Sequence, residues 1–330
     1  MAVLQLKYPT LLDMARRKDP DGKPAVIAEI LNETNGILDD MVFKEANDGH
    51  TEKTTVRTGL PSATWRKLNY GVANSKSQTA QISDSCGMLE AYAEIDKALA
   101  DMNGNTAEFR MSEDRSFLES MNQMMATTLF YGDTDTNPER FNGIAPRFNL
   151  STAPSGANLI DAGGDDAAAN TSIYFASWGP LTGYGIVPKG SVAGFQHRDL
   201  GEQTLEDAAG GKFQGYRTHY KWDLGLTVRD WKHWGRICDI KTSALTKSGS
   251  TGADLVDLMI QMVERLPEAN LGKRVIYANQ TVLSYLRRQI TNKSNVRLSL
   301  EEVAGKKVVH FDGIPVRRVD KIVNTEALVA

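Results

Sequence analysis

The side chains best placed to bind a metal ion are Asp133, Asp135 and Asn137, which alternate along the chain. Alternating oxygen donors of this kind open the calcium loop of an EF-hand. That loop needs glycine at its sixth position and glutamate at its twelfth. Here those positions hold Pro138 and Ile144, so the spacing favours an exposed polar turn over a calcium site.

A second candidate for chemistry is the run Gly210, Gly211 and Lys212, which resembles the end of a phosphate-binding loop. The full pattern, GxxxxGK[ST], requires a glycine where this chain has Glu206 and a hydroxyl residue where it has Phe213. The run therefore does not predict a nucleotide site.

Catalytic motifs built on histidine or serine do not occur in this sequence. The histidines lack the HExxH spacing of a zinc site, and no GxSxG nucleophile motif is present. Asp165 and Asp166 are adjacent, but their Ala- and Gly-rich surroundings are a poor frame for paired carboxylates. We therefore expect no catalytic, cofactor-binding or metal-binding residues, and no enzyme. The five histidines of the chain are His50, His197, His219, His233 and His310.

Cys86 and Cys238 are the only cysteines, so cysteine alone cannot build a zinc quartet. Two free thiols in a reducing compartment are favoured over a disulfide. No apolar run approaches the ~20 residues of a membrane span, and the N-terminus lacks the apolar core of a signal peptide. We expect no membrane partner, and a protein that stays in the cytosol or leaves it without a signal.

Composition places the chain among ordinary globular proteins. It has 330 residues, 41% of them hydrophobic and 24% charged, with a net charge of −3. The length suits one large domain or two closely joined ones. This charge does not attract nucleic acid over the whole surface. Arg16, Arg17 and Lys18 form a local basic group that is either a solvated helix end or a contact for DNA phosphates.

The longest predicted element is a helix of about 20 residues that starts with Ser112 as its N-cap. Gly132 stands where a C′ glycine would end it, and a polar turn, Pro138 and the sequence FNGI (141–144) follow. Its apolar residues recur at helical spacing: Phe117, Leu118, Met121, Met124, Met125 and Leu129.

Residues 51–85 are rich in Thr, Ser, Asn and Gln and poor in large apolar side chains. Residues 54–58 and 78–83 are strand-forming, with Pro61 and Gly71 as turn residues between them, which predicts an extended hairpin. A hairpin this polar is not stable alone in water. It must fold onto its own domain or lie on another molecule.

The remaining pattern predicts a mixed α+β chain. Residues 1–50 are predicted to be mostly helical. Apolar spacing predicts a further amphipathic helix through Leu89, Tyr92, Ile95, Leu99 and Met102. Beyond residue 170 we predict strands at 172–176, 184–187, 191–195, 216–224, 226–240 and 274–277, helices at 254–266 and 281–290, and a last hairpin of 308–311 and 314–319 about Asp312 and Gly313.

Three segments resemble the major capsid proteins of tailed bacteriophages, in the order in which that family has them. The long helix closing on LFYGD (129–133), followed by FNGI, resembles the family's spine helix and the turn after it. The strand RVIYANQ, which runs into the helix TVLSYLRRQ (274–289), resembles a core segment, and FDGIPV (311–316) resembles a Gly-x-Pro-Val strand. YKWDLGLTVRDW (220–231) is similar to a segment of short-tailed phage capsid proteins.

The resemblance implies the α+β tailed-phage major capsid fold. It also implies an N-terminal arm (1–50), an extended β-hairpin or E-loop (51–87), a peripheral domain with the spine helix (88–150), an axial domain (151–300) and a C-terminal hairpin returning to the core (301–330).

The implied function is structural: a major capsid subunit that self-assembles into pentamers and hexamers of an icosahedral shell around double-stranded DNA. The implied location is the virion, after assembly in the host cytoplasm. Further implied partners are a separate scaffolding protein, a portal protein, a cement protein and weakly bound packaged DNA. On this interpretation the hairpin lies across a neighbouring subunit, with contacts expected at Val56, Arg57, Trp65, Arg66 and Tyr70.

Two alternatives remain at this stage. One is a nanocompartment shell of the encapsulin kind, with the same fold but a protein cargo. The other is a soluble α/β hydrolase or ligand-binding protein. Lys53, Lys67 and Lys76 of the hairpin are either solvated lysines that form salt bridges to a neighbour or, as in some capsid proteins, isopeptide donors.

Overall fold

The computed structural model describes residues 8–9, 33, 35–102, 106–165, 169–191, 194–207, 209–246, 254–268, 271–290, 298–303 and 306–329. The helices predicted between residues 10 and 32, and the basic group at 16–18, lie outside these residues. The described helices are α1 (Ile37–Asp40), α2 (Lys97–Ala100), α3 (Thr106–Tyr131), α4 (Ile144–Arg147), α5 (Leu255–Arg265) and α6 (Gln280–Ile290).

The described strands form two sheets. They are β1 (Phe43–Glu45), β2 (Thr51–Gly59), β3 (Gln78–Asp96), β4 (Leu159–Asp161), β5 (Asn170–Trp178), β6 (Gly183–Val187), β7 (Phe195–Glu206), β8 (Lys212–Val228), β9 (Gly235–Lys241), β10 (Lys273–Ala278), β11 (Leu298–Val303), β12 (Lys306–Phe311) and β13 (Ile314–Arg318). No described helix combines the length and the apolar character needed to cross a membrane.

The first sheet carries the predicted hairpin. Its strand order is β1-β6-β8-β3-β2, and β7 also pairs with β8. The long strand β3 changes partner along its length: it pairs with β2 up to Ser85 and with β8 from Cys86 onward. The hairpin is therefore a direct continuation of the sheet, which fixes its direction relative to the body of the subunit.

The second sheet has the strand order β11-β12-β13-β10-β5-β9-β4. Helices α5 and α6 cover one side through Leu255, Met259, Val282 and Leu286, which belong to one apolar core with Ile173, Ile237 and Ile276. A second core contains the end of α3 and residues of both sheets, among them Phe130, Tyr174, Trp178, Leu224 and Trp234. This shared core joins the two sheets.

The predicted long helix is present as α3 and is longer than expected. It begins at Thr106, so Ser112 is an interior residue and not the N-cap. Residues 106–111 (TAEFRM) are mostly adequate helix formers and extend the helix backwards. Its buried residues all lie at 121–130, whereas Leu118 and Met124 are exposed, contrary to the predicted apolar face. The first half of α3 is thus a surface element.

The helix predicted through residues 89–102 is wrong. Residues up to Asp96 continue strand β3, and only Lys97–Ala100 are helical. Leu89, Ala91, Ala93 and Ile95 alternate with polar or exposed residues, which is the period of a strand packed on one face. Both periods fit the same apolar residues, and pairing with β8 decides between them.

Several other predictions are confirmed. Helices α5 and α6, strand β10 and the pairing of β2 with β3 fall where the sequence predicted them. Strands β12 and β13 form a hairpin in which Asp312 and Gly313 both have positive φ, as a tight primed turn requires. The strand predicted at 226–240 is interrupted instead: the Asp230 side chain caps a short 3-10 turn, Trp231–His233, between β8 and β9.

Candidate assembly surface

The foot of the hairpin is held by a buried glutamate. Glu52 on β2 is only 1% exposed. Its carboxylate accepts hydrogen bonds from the Tyr184 hydroxyl at 2.8 Å and the Asn47 backbone N–H at 2.7 Å. Burial, with Glu52 as the next cause, raises the pKa of Tyr184, so this hydroxyl keeps its proton and stays a donor. The contact ties β2 to β6 of the main sheet.

A second buried carboxylate fixes the other strand. Asp84 on β3 accepts a hydrogen bond from Arg147 at 2.7 Å. The same guanidinium donates to the backbone carbonyls of Leu226 at 2.9 Å and Asn142 at 3.3 Å. Charged groups with several hydrogen bonds in a mostly buried position are held rigidly. The hairpin therefore leaves the body at a defined angle.

Beyond this foot, residues 60–77 form no regular strand and all are exposed. We call them the hairpin tip. Large apolar side chains in the tip are solvated, including Trp65 at 102%, Leu68 at 85% and Tyr70 at 71% exposure. Arg57 and Arg66 are exposed and Val56 is half-buried against its strand partners. The five expected contact residues thus lie together on a projecting arm, apart from the rest of their own subunit.

The hairpin is also strongly cationic. Residues 53–83 contain Lys53, Arg57, Arg66, Lys67 and Lys76 and no acidic residue, in a chain whose net charge is −3. Such a segment complements an acidic surface and repels a copy of itself. At the foot, Lys53 pairs with Asp48 and lowers the pKa of that carboxyl.

Further exposed apolar side chains lie on helix α3 and on strand β3. Met111, Leu118 and Met124 on α3 are 58%, 40% and 48% exposed, and Met88 and Tyr92 on β3 are 61% and 49% exposed. Helix α3 packs on the face of β3 that carries Leu89, Ala91 and Ala93, so Met88 and Tyr92 lie on the opposite face of the sheet. Solvated groups of large apolar residues commonly mark interaction sites.

A buried ion pair forms a structural centre that the sequence did not reveal. Arg236 on β9 donates to Glu326 at 2.9 Å, and Ser172, Tyr131 and Tyr174 also donate to this carboxylate. Although burial acts to lower the pKa of Arg236, Tyr174 and Glu326 raise it, so the guanidinium stays charged. The centre ties the C-terminal segment to the spine helix and the second sheet. Glu326 lies in no segment with helix or strand periodicity, so no pattern in the sequence pointed to it.

The two motifs that the sequence offered for metal or phosphate binding, at 133–137 and 210–212, form turns. Asp133 accepts hydrogen bonds from the Asp135 N–H and the Thr136 hydroxyl, which lower the pKa of its carboxyl. Gly211 lies in the turn between β7 and β8 and donates to Asp207 at 2.7 Å. Both patterns are thus accounted for by local backbone geometry. Cys86 and Cys238 are free thiols.

Residues 19–330 match the protein family described as "Major capsid protein GP7". The chain is similar to a solved structure of bacteriophage Epsilon15, with 42% identity and a TM-score of 0.79 over 100% of this chain and 99% of that one. The alignment confirms the predicted fold class.

More distant likenesses include the capsid of bacteriophage JBD30, with 7% identity and a TM-score of 0.49 over 89% and 93% of the two chains. The SrpI encapsulin complex of Synechococcus elongatus PCC 7942 is similar with 9% identity and a TM-score of 0.44 over 73% and 97%. No curated protein matches the chain.

Proposed function

This chain belongs to the major capsid protein family of tailed phages, and we propose that its hairpin is the arm by which one subunit binds the next. As a major capsid protein it is a structural component of the virion shell. The observation that carries the proposal is the hairpin tip, in which Trp65, Leu68 and Tyr70 are solvated although they are large and apolar. A neighbouring subunit would bury them.

The energy available from that burial is large enough to drive association. Fully burying one large apolar side chain stabilises a complex by about 1.5–3 kcal/mol. Leu60, Trp65, Leu68 and Tyr70 together would therefore supply on the order of 6–12 kcal/mol before association costs are subtracted. A shell subunit has several neighbours, so modest contacts sum through avidity.

We infer that the exposed face of helix α3 on a neighbour receives the arm. It offers the exposed apolar side chains of Met111 and Leu118 and the exposed carboxylate of Glu108. Residues 53–83 of the hairpin, which are cationic and contain no acidic residue, complement this mixture. We assign Val56, Arg57, Trp65, Arg66 and Tyr70 to the arm side of the interface.

Finer features of the function belong to the same proposal. We propose that the subunits form pentamers and hexamers around double-stranded DNA, assembled in the host cytoplasm with a scaffolding protein and a portal protein, and that a cement protein binds outside. We propose that the chain divides into an N-terminal arm (1–50), the hairpin (51–87), a peripheral domain (88–150), an axial domain (151–300) and a C-terminal hairpin (301–330). The nanocompartment and enzyme alternatives are set aside, because the 42% identical structure is that of a phage.

Removing the tip tests the proposal. Gly59 and Gln78 are paired at the end of the stem, so residues 60–77 can be replaced by an Asn-Gly turn that closes two strands. We expect the shortened chain to fold, with an unchanged circular dichroism spectrum, and to form no shells by negative-stain electron microscopy. Normal shells from the shortened chain would overturn the assignment of the arm.

A further inference from the structure

We propose that Asp161, Cys238 and Asp239 form a binding site for a zinc ion. One ligand atom from each of the three side chains lies within 4.8 Å of the other two. Asp161 ends strand β4, and Cys238 lies opposite it on the neighbouring parallel strand β9. The sequence predicted no metal-binding residue, because these side chains meet only when the two strands pair.

A β-bulge explains why two consecutive residues of β9 point to one place. Thr171 on β5 pairs with Ile240, but Ile173 pairs with Ile237, so β9 carries one extra residue in this interval. Asp239 lies in this bulge and has a left-handed backbone conformation, with a φ of 54°. In a regular strand, neighbouring side chains point to opposite faces, whereas a bulge re-aims one of them. Cys238 and Asp239 therefore share the site.

One oxygen of the buried carboxylate in this cluster is unpartnered. Asp239 is 4% exposed, and its Oδ1 atom has no hydrogen-bond partner among the described residues. Its Oδ2 accepts a long bond from the Val329 N–H, at 3.3 Å, and the Cys238 side chain also interacts with the carboxylate. A carboxylate oxygen buried in this way is costly unless a proton or a cation compensates it. A bound cation would compensate the charge of the Asp239 carboxylate.

The chemistry of the donors selects the ion. A thiolate with two carboxylates suits Zn²⁺, whereas Ca²⁺ and Mg²⁺ prefer oxygen ligands alone. Ligands of a tetrahedral zinc ion lie about 3.4–3.8 Å apart, given Zn–O and Zn–S bonds of about 2.0–2.3 Å. The three ligand atoms lie within 4.8 Å of one another, so a movement of at most about 1–1.4 Å brings them to these separations. The Oδ1 atom of Asp161 accepts a hydrogen bond from the Gly163 N–H at 2.7 Å, and because the residue is exposed its carboxylate can make that movement and admit the ion from solvent.

A zinc ion here would stabilise the edge of the second sheet. Strand β4 has only three residues and is the last strand of its sheet, paired on one side to β9. Zinc held by Asp161 and Cys238 would join these two strands by coordinate bonds. Because it binds the folded chain, it would also raise the melting temperature of the subunit.

The test uses the untagged 330-residue chain, loaded with Zn²⁺ and dialysed against metal-free buffer. We expect about one zinc per chain by mass spectrometry, retained in Asp165→Asn and lost in Asp161→Asn. Asp165 is a matched control because it lies in the same loop but pairs with Lys241. Asp161 is exposed, so its substitution tests the ligand without disturbing the core.

Cobalt reports the thiolate directly. Co²⁺ bound to the wild-type chain should give a sulfur-to-metal charge-transfer absorption that is missing in Cys238→Ala. Zinc that is washed out of the wild type, or retained equally by Asp161→Asn, would overturn the proposal. A cobalt complex without the thiolate absorption would do so as well.

Discussion

Arg147 and Asp84 form a mostly buried ion pair, 2.7 Å long, between the short helix α4 and the foot of the hairpin. The Asp84 side chain is 4% exposed and that of Arg147 is 17% exposed. Through this contact and its bond to Leu226, one guanidinium connects the segment after the spine helix, the arm and the main sheet. This guanidinium therefore helps to set the direction of the arm.

Replacing Arg147 by methionine should destabilise the subunit by about 3 kcal/mol, because the Asp84 carboxylate would stay buried without its counter-ion. Urea unfolding followed by tryptophan fluorescence measures this loss. The matched control is Lys97→Met, which breaks an exposed pair with Glu202 and should cost less than about 1 kcal/mol. Equal losses in the two variants would refute a special role for Arg147.

His233 should make stability depend on pH. Burial lowers the pKa of its imidazole below the usual 6.5, against the opposing effect of Asp230. The unfolded chain therefore takes up a proton at a pH where the folded chain does not. Stability should fall as the pH drops below about 6.5, by at most about 1.4 kcal/mol per pH unit. Urea unfolding at a series of pH values should show a smaller slope for His233→Gln, and superimposable slopes would count against this.

Gly143 should tolerate no side chain. A Cβ atom there would lie 2.7 Å from the Thr128 carbonyl oxygen and 2.8 Å from Phe130, because the chain folds back against the end of the spine helix. We expect Gly143→Ala to cost at least about 2 kcal/mol. Gly71→Ala, where nothing lies within 4 Å, should change stability by less than about 0.5 kcal/mol. Thermal unfolding of both variants compares the two positions.

Trp65→Ala should separate assembly from folding. Trp65 is fully solvated in the subunit, so its loss should leave the free energy of unfolding unchanged within about 0.5 kcal/mol. As an interface anchor it should raise the critical concentration for assembly at least about tenfold, which corresponds to about 1.4 kcal/mol. Light scattering measures that concentration. Leu181→Ala, at another exposed apolar residue, serves as the control and should assemble like the wild type.

Local signals in the sequence were sufficient for much of the fold. Helix α5 lies within the predicted range 254–266, and Asp254 caps it by accepting hydrogen bonds from the N–H groups of Val256 and Asp257. The turn at Asp312 and Gly313 also needs only local information. The end of the spine helix was placed correctly but for another reason: Gly132 does not have positive φ. Instead, a Cβ there would lie 2.3 Å from the Phe141 carbonyl oxygen.

Contacts between residues far apart in the chain could not be predicted from the sequence. The change of partner along β3 depends on β8, whose matching residues lie more than a hundred positions further on. The convergence of Arg236, Glu326 and Tyr131 likewise depends on tertiary contacts and carries no periodic signal. The extended hairpin was predicted from its polar strands, but the residues alone left open whether it folds onto its own domain, and only the family resemblance implied that it lies across a neighbour.

Glu326 follows Arg236 by 90 residues. At translation rates of about 5–20 residues per second, the ribosome makes the cation roughly 5–20 seconds before its counter-ion. During that interval the region around Ser172 holds a guanidinium with no carboxylate to neutralise it. A chain that stops short of Glu326 would keep this defect permanently. Such a chain should be less stable than one that contains Glu326, because its buried guanidinium has no counter-ion.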